Sequence, residues 1–128
     1  MALKRHNPKG VALMGRYSHA VELSPGQRVI YASGQVGVDS KGKIAAGIEK
    51  QCDLVWKNIG AILRSAGMTY GDIVKINGYL TDARFIGAYR SVRDKYVHDP
   101  MPASTLVLVS GLASPDMLVE VEVVAART

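Results

Sequence analysis

Glu120 and Glu122 stand two residues apart in the run Leu118-Val-Glu-Val-Glu-Val-Val-Ala-Ala126. Alternation of period two among β-branched residues is a strand signal, and it puts both acids on one face with Leu118 and Val124. A carboxylate on so apolar a strand is either at a wet sheet edge or in a cleft where its charge is used. Two solvated edge glutamates are the commoner case. The other chemistry-bearing groups are a phenol (Tyr17), hydroxyls (Ser33, Ser104, Thr105) and the backbone amides around Gly34. Such a set can position a water or move a proton without a cofactor, which favours the cleft for Glu120.

Other chemistries find little support. His6, His19 and His98 are scattered, without the close spacing of a zinc site, so no metal is expected. There is no Gly-x-Ser-x-Gly elbow and no Cys/His pair, so acyl transfer is not indicated. Gly34-Gln-Val-Gly37 does not have the dinucleotide-binding spacing, and no helix starts there. The single cysteine, Cys52, excludes an intrachain disulfide. The net charge is +5, but the basic residues come singly (Lys41, Lys43, Lys50, Lys57, Arg64, Lys75), with one Phe and one Trp for stacking bases. That pattern is a solvated surface rather than a nucleic-acid groove. No apolar run approaches the roughly 20 residues that span a bilayer. The run 11–14 is shorter than the about 7–15 residues of a signal-peptide core, so a cytoplasmic location is expected.

The elements that must position these groups follow from the pattern. At 128 residues, with 48% apolar and 21% charged, the chain is expected to form a single domain over residues 1–128. Residues 1–15 show no period and read as an arm or edge segment. Residues 17–23 and 28–33 read as a hairpin around Ser24-Pro-Gly26. In 47–67, Ile48, Cys52, Val55, Ile59, Ile62 and Ala66 form one helical stripe closed by Gly67, with Trp56 beside it and Cys52 a packed thiol. Residues 72–80 alternate as a strand, and Thr81-Asp82 is an N-cap site. The second helix has Phe85, Tyr89, Val92 and Tyr96 as its stripe, with Arg84, Arg90, Arg93 and Lys95 mostly off it. It stops at His98-Asp-Pro100. Residues 104–109, apolar on both faces, read as a strand buried from both sides and paired with the Glu120 strand. The order β-β-α-β-α-β-β gives an α+β fold, one mixed sheet with two helices on one face. The uncovered face calls for a homo-oligomer packed sheet against sheet, with clefts between subunits.

Gly15-Arg-Tyr-Ser-His-Ala-Val21, Ala32-Ser-Gly-Gln-Val36, Asn58 with Ala66-Gly67, Asp72-Ile-Val-Lys75, Tyr79-Leu-Thr-Asp82, Pro102-Ala103 and Val119-Glu-Val-Glu122 recur in an order and spacing that resembles the Rid (YjgF-type) family. The likeness runs from about residue 15 to the end. It implies a chorismate-mutase-like fold, a homotrimer, substrate sites in the clefts between subunits, and hydrolysis of enamines and imines to keto acids and ammonia without a cofactor. It makes Glu120 the group that orients the water, Tyr17 a cleft-lining residue, and Ser33 with Gly34 neighbours of the substrate. Three positions depart from the deaminase pattern. Ser104 stands where an arginine grips the substrate carboxylate, Leu106 replaces a cysteine, and Tyr89 an asparagine of the second helix. A charge-assisted hydrogen bond is worth about 1.5–3 kcal/mol, so carboxylate binding is expected to weaken by about one to two decades. Arg16, where relatives usually have proline, starts near the expected cleft; a solvated loop arginine is the blander alternative.

Three functions compete on this basis. The first is a Rid-like hydrolase acting on a small-molecule imine or enamine, expected not to be a simple amino-acid-derived acid, through Glu120, Tyr17, Ser33, Gly34, Ser104, Arg16 and Tyr89. The second is a trimeric small-molecule-binding module with little catalysis. The third and weakest is RNA binding or cleavage, which would require a steep salt dependence.

Overall fold

The structure is a computed structural model in which residues 3–128 are described. The chain runs β1 (Lys4–His6), β2 (Ala20–Glu22), β3 (Arg28–Val36), α1 (Ile48–Ser65), β4 (Ile73–Leu80), α2 (Ile86–Tyr96), β5 (Ala103–Leu108) and β6 (Val119–Arg127). A four-stranded mixed sheet has the order β3-β6-β4-β5, with β6 antiparallel to both neighbours and β4 parallel to β5. Both helices contribute to one core with the inward residues of β6 and β4. The expected α+β arrangement is present, and β1 with β2 makes a small second antiparallel sheet outside the main one.

Local chemistry explains the helices. Gly47 (φ 87) opens α1 and Gly67 (φ 70) ends it, where the Met68 amide donates to the Leu63 carbonyl at 2.8 Å. Cys52, Val55 and Ile59 are wholly buried as the stripe requires, but Trp56 and Leu63 are buried as deeply. Burial pushes the Cys52 thiol up to about 12, which suits a packed thiol. At α2, Asp82 accepts the Arg84 amide at 2.9 Å. Tyr89 and Val92 are buried, and so is Arg93, expected off the stripe but only 7% exposed.

Two expected pairings are corrected. Residues 20–22 do not form a hairpin with β3. They pair with β1 through Lys4↔Glu22, Arg5↔Val21 and His6↔Ala20. β3 instead pairs with β6, which sets Ile30 and Ala32 opposite Ala125 and Val123, against the core. Likewise β5 neighbours β4, not β6. A parallel pair needs a long crossover, and α2 supplies it between β4 and β5. β6 then fills the central slot, where Val119, Val121, Val123 and Ala125 are all 2% exposed or less. Within the chain β5 is uncovered on one face, as expected of a sheet with both helices on its other face. Thr105 and Val107 lie exposed on the open face of the sheet.

Candidate functional site

Glu120 projects from β6 onto the open face, opposite Val36 of β3 and Tyr79 of β4. The β3 register shifts between Ala32 and Gln35, leaving Ser33 and Gly34 outside regular pairing. Such a bulge re-aims the chain, and here it brings backbone under the glutamate. A Cβ on Gly34 would stand 2.8 Å from the Glu120 carboxyl carbon and would collide with its Oε2. Only glycine lets the carboxylate lie down on this strand. The two acids are not equivalent. Glu122 accepts a very short hydrogen bond from the Tyr79 hydroxyl, which raises the Tyr79 phenol above its ordinary value. Glu120 has no hydrogen bond or ion pair among the described residues, so its oxygens are free to take a ligand or a water.

A second cluster lies on the other side of the sheet. A cavity of about 490 Å³ opens between the segment before β2, α2 and the outer edge of β5. Arg16, Tyr17, Arg90, Arg93, Asp94 and Ser104 carry its polar groups. The segment before β2 is clamped to the residues leading into β5 by Ser18, whose amide donates to the Pro102 carbonyl at 2.9 Å and whose hydroxyl donates to the Met101 carbonyl at 2.6 Å. Tyr17 follows from that clamp, its hydroxyl accepting the Met14 amide at 3.1 Å. Asp94 Oδ1 accepts from Arg93 Nε at 3.1 Å and Nη2 at 3.0 Å, and lies 3.2 Å from Arg16 Nη1. Arg16 also reaches Asp99 at 3.6 Å. A larger hollow of about 650 Å³ beside Arg5, Asp72 and Arg127 offers less. There Arg127 is paired with Asp72 at 3.2 Å, and Arg5 is spent on the Met101 and Pro100 carbonyls.

The sequence candidates thus fall into two groups and one outlier. Glu120, Ser33 and Gly34 meet at the β3 bulge; Arg16, Tyr17 and Ser104 share the cavity. Register places Glu120 level with Tyr79 on the open face, and Ser104 level with Ile76, whose side chain is in the core. The groups therefore lie on opposite faces, with β4 between their strands, roughly 10 Å apart across the sheet at the usual strand spacing. One chain alone does not bring them together. Tyr89 is the outlier, wholly buried, its hydroxyl 2.6 Å from where a Gly78 Cβ would be and without a hydrogen-bond partner among the described residues. Desolvation pushes that phenol up to about 12. In this chain Tyr89 fills the core between α2 and β4 and faces neither group. Arg90, Arg93 and Asp94 were not singled out from the sequence as site residues. The available signal was spacing: Arg93 is four residues after Tyr89 and adjoins Val92, so its base lies on the buried stripe.

Among the described residues no group of three His, Cys, Asp or Glu gathers in a metal-binding cluster, and no helix is long and apolar enough to cross a membrane. Comparison with known proteins agrees with the fold. The family model described as Endoribonuclease L-PSP matches residues 9–127. The mouse 2-iminobutanoate/2-iminopropanoate deaminase is 33% identical over 121 residues, 93% of this chain and 87% of that protein. A RutC family protein of Aquifex aeolicus is 32% identical over 122 residues, 94% of this chain and 95% of its own length. Among solved structures, the Rid-family protein YyfB of Yersinia pestis superposes with a TM-score of 0.86 at 27% identity, covering 99% of this chain and 100% of that one. Escherichia coli TdcF with bound serine superposes with a TM-score of 0.72 at 28% identity, covering 91% of each chain. With the family model spanning nearly all of it and relatives above 30% identity along its length, the chain belongs to the Rid (YjgF/RutC) family.

Proposed function

We propose that the protein hydrolyses imines or enamines of small metabolites, releasing ammonia, at sites shared between copies of the chain in a homotrimer. The observation that carries this is the unpaired Glu120 carboxylate lying over Gly34, next to a sheet face that the chain leaves uncovered. In the proposed step, Glu120 takes a proton from a water as its oxygen bonds to the imine carbon. The nitrogen gains that proton, and the carbinolamine then passes its hydroxyl proton to the nitrogen as the C–N bond breaks, leaving a carbonyl and ammonia. An enamine first tautomerises to the imine and enters the same path. The name of the mouse relative supports the reaction class. The division of the site between two sheet faces supports assembly, as do Tyr31 at 81% and Val107 at 42% exposure on the open face. A second copy of the chain would bring one copy's Tyr17 cavity to another's Glu120.

The test generates imines in situ with amino-acid oxidases and follows ammonia release with and without the protein, with light scattering on the same sample. Ammonia released no faster than the spontaneous rate would remove the hydrolase, and a monomer would remove the shared cleft. A ligand-binding module is the second reading, favoured by one observation: the serine bound in the TdcF structure is not an imine. Saturable ligand binding without turnover would select it.

Gly34→Ala checks the Glu120 arrangement separately. The atom it meets is the far end of a flexible side chain, and Gly34 does not have a left-handed φ, so the backbone tolerates alanine. The expected result is a change in stability within about 1 kcal/mol, with turnover falling at least about ten-fold as Glu120 swings away. Thermal melting beside the ammonia assay measures both.

A further inference from the structure

The cavity beneath β5 has an unusual charge balance. Its lining holds three arginines, Arg16, Arg90 and Arg93, against one carboxylate, Asp94, leaving two positive charges unmatched within the lining. The Asp99 that touches Arg16 is 80% exposed, so water screens its contribution. Arg93 is the notable member. Its side chain is only 9% exposed, and a guanidinium that deep is normally matched by a carboxylate using both oxygens. Here Arg93 and Arg16 converge on the same oxygen, Asp94 Oδ1, at 3.0–3.2 Å. Neither has a two-oxygen fork. Asp94 thus holds two guanidiniums side by side at the wall of a 490 Å³ opening, with the Tyr17 and Ser104 side chains facing the same space.

We propose that this cavity anchors the carboxylate of an acidic substrate, with Arg93 of α2 as the principal anchor and Arg16 as its partner across Asp94. This deepens the hydrolase reading and rests on it. It makes the preferred substrates imino acids rather than neutral imines, although β5 carries Ser104 and no arginine. An incoming carboxylate gives the two guanidiniums the second acceptor that Asp94 Oδ1 does not provide. Ser104 and Tyr17 offer hydroxyls to the same anion. Asp94 is then a positioning residue, which keeps the arginines parallel and lowers their mutual repulsion. Burial matters because the low dielectric around Arg93 strengthens its attraction for an anion relative to an exposed lysine or arginine.

The test measures binding of 2-oxobutanoate, an unreactive short 2-oxo acid, and of its methyl ester by calorimetry on the full-length oligomer. The wild type is expected to bind the acid at least about ten-fold more tightly than the ester. Arg93→Gln should remove that preference by weakening the acid alone, and adding Ser104→Arg to Arg93→Gln should restore it, since residue 104 lines the same cavity. If Arg93→Gln does not fold, Arg93→Lys is measured instead. It keeps the charge, loses the fork, and should bind the acid at least about three-fold more weakly with the ester unchanged. Equal binding of acid and ester by the wild type, or unchanged acid binding in a folded Arg93 variant, overturns the proposal. The reaction is separable from the anchor through Glu120→Gln. That variant should bind the acid as the wild type does, so an Arg93-dependent acid preference in a protein that hydrolyses no imine would leave the anchor standing and remove the hydrolase.

Discussion

Glu120→Gln is expected to reduce ammonia release by about 10²–10⁴-fold, the usual range for removing a general base. The amide has the size of the carboxylate and can still hydrogen-bond a water, but it cannot take the proton as the water attacks. Glu122, two residues along on the same face, does not substitute. It is held by the Tyr79 hydroxyl, whereas Glu120 lies at the bulge over Gly34. Because Glu120 is only half-buried and forms no ion pair among the described residues, the substitution should change stability by less than about 0.5 kcal/mol. The loss should therefore appear in kcat, with binding of the unreactive 2-oxo acid preserved. A variant retaining most of the wild-type rate would assign the chemistry elsewhere, and the bare carboxylate would then be a surface feature.

The strand carrying Glu120 was legible because its alternation is nearly free of error and its inward residues are valines. Both helices were legible from their stripes and from Gly67 and Asp82, which act locally. Pairing was not. The turn at residues 24–27 forms, with the Gln27 amide 3.4 Å from the Ser24 carbonyl, yet the strands on either side go to different sheets. Such a choice depends on which partner buries more apolar surface, and local sequence does not encode it. The position of β5 failed for a related reason. Its apolar residues suit either neighbour, and only the α2 crossover sets it parallel beside β4. Among site residues, the bulge that joins Gly34 to Glu120 needs the β3–β6 register to be known. Tyr89 belongs to the site by family position alone, while its helical spacing places it in the core. Arg93 is hidden by its charge. An arginine on a buried stripe reads as a solvated neighbour until the cavity and Asp94 are seen together.

Gln51→Leu is expected to have the largest effect on stability. Gln51 is 1% exposed, a polar side chain on the buried face of α1 between Cys52 and the Gly47 turn. Its Nε2 donates to the Ala45 and Asp116 carbonyls, both at 2.9 Å, and its Oε1 accepts the Leu118 amide at 2.9 Å. One side chain thus ties the entry to α1 to the entry to β6, two residues before Glu120. The fit is close: a Cβ on Gly37 would stand 2.6 Å from Gln51 Cγ and would collide with the α1 backbone. Leucine fills a similar volume but leaves three backbone groups without partners, each costing about 1–3 kcal/mol when buried. Added apolar burial offsets part of this, so the net loss should be about 2–4 kcal/mol. For a chain of this size that lowers Tm by roughly 10 °C. The Leu118 amide should also lose hydrogen-exchange protection before the centre of β6 does, because the tie is local. Turnover should fall below what the folded fraction accounts for, since the start of β6 sets where Glu120 stands over Gly34. A Gln51→Leu protein melting within about 2 °C of the wild type would show that water satisfies those three groups and that β6 keeps its position without the tie.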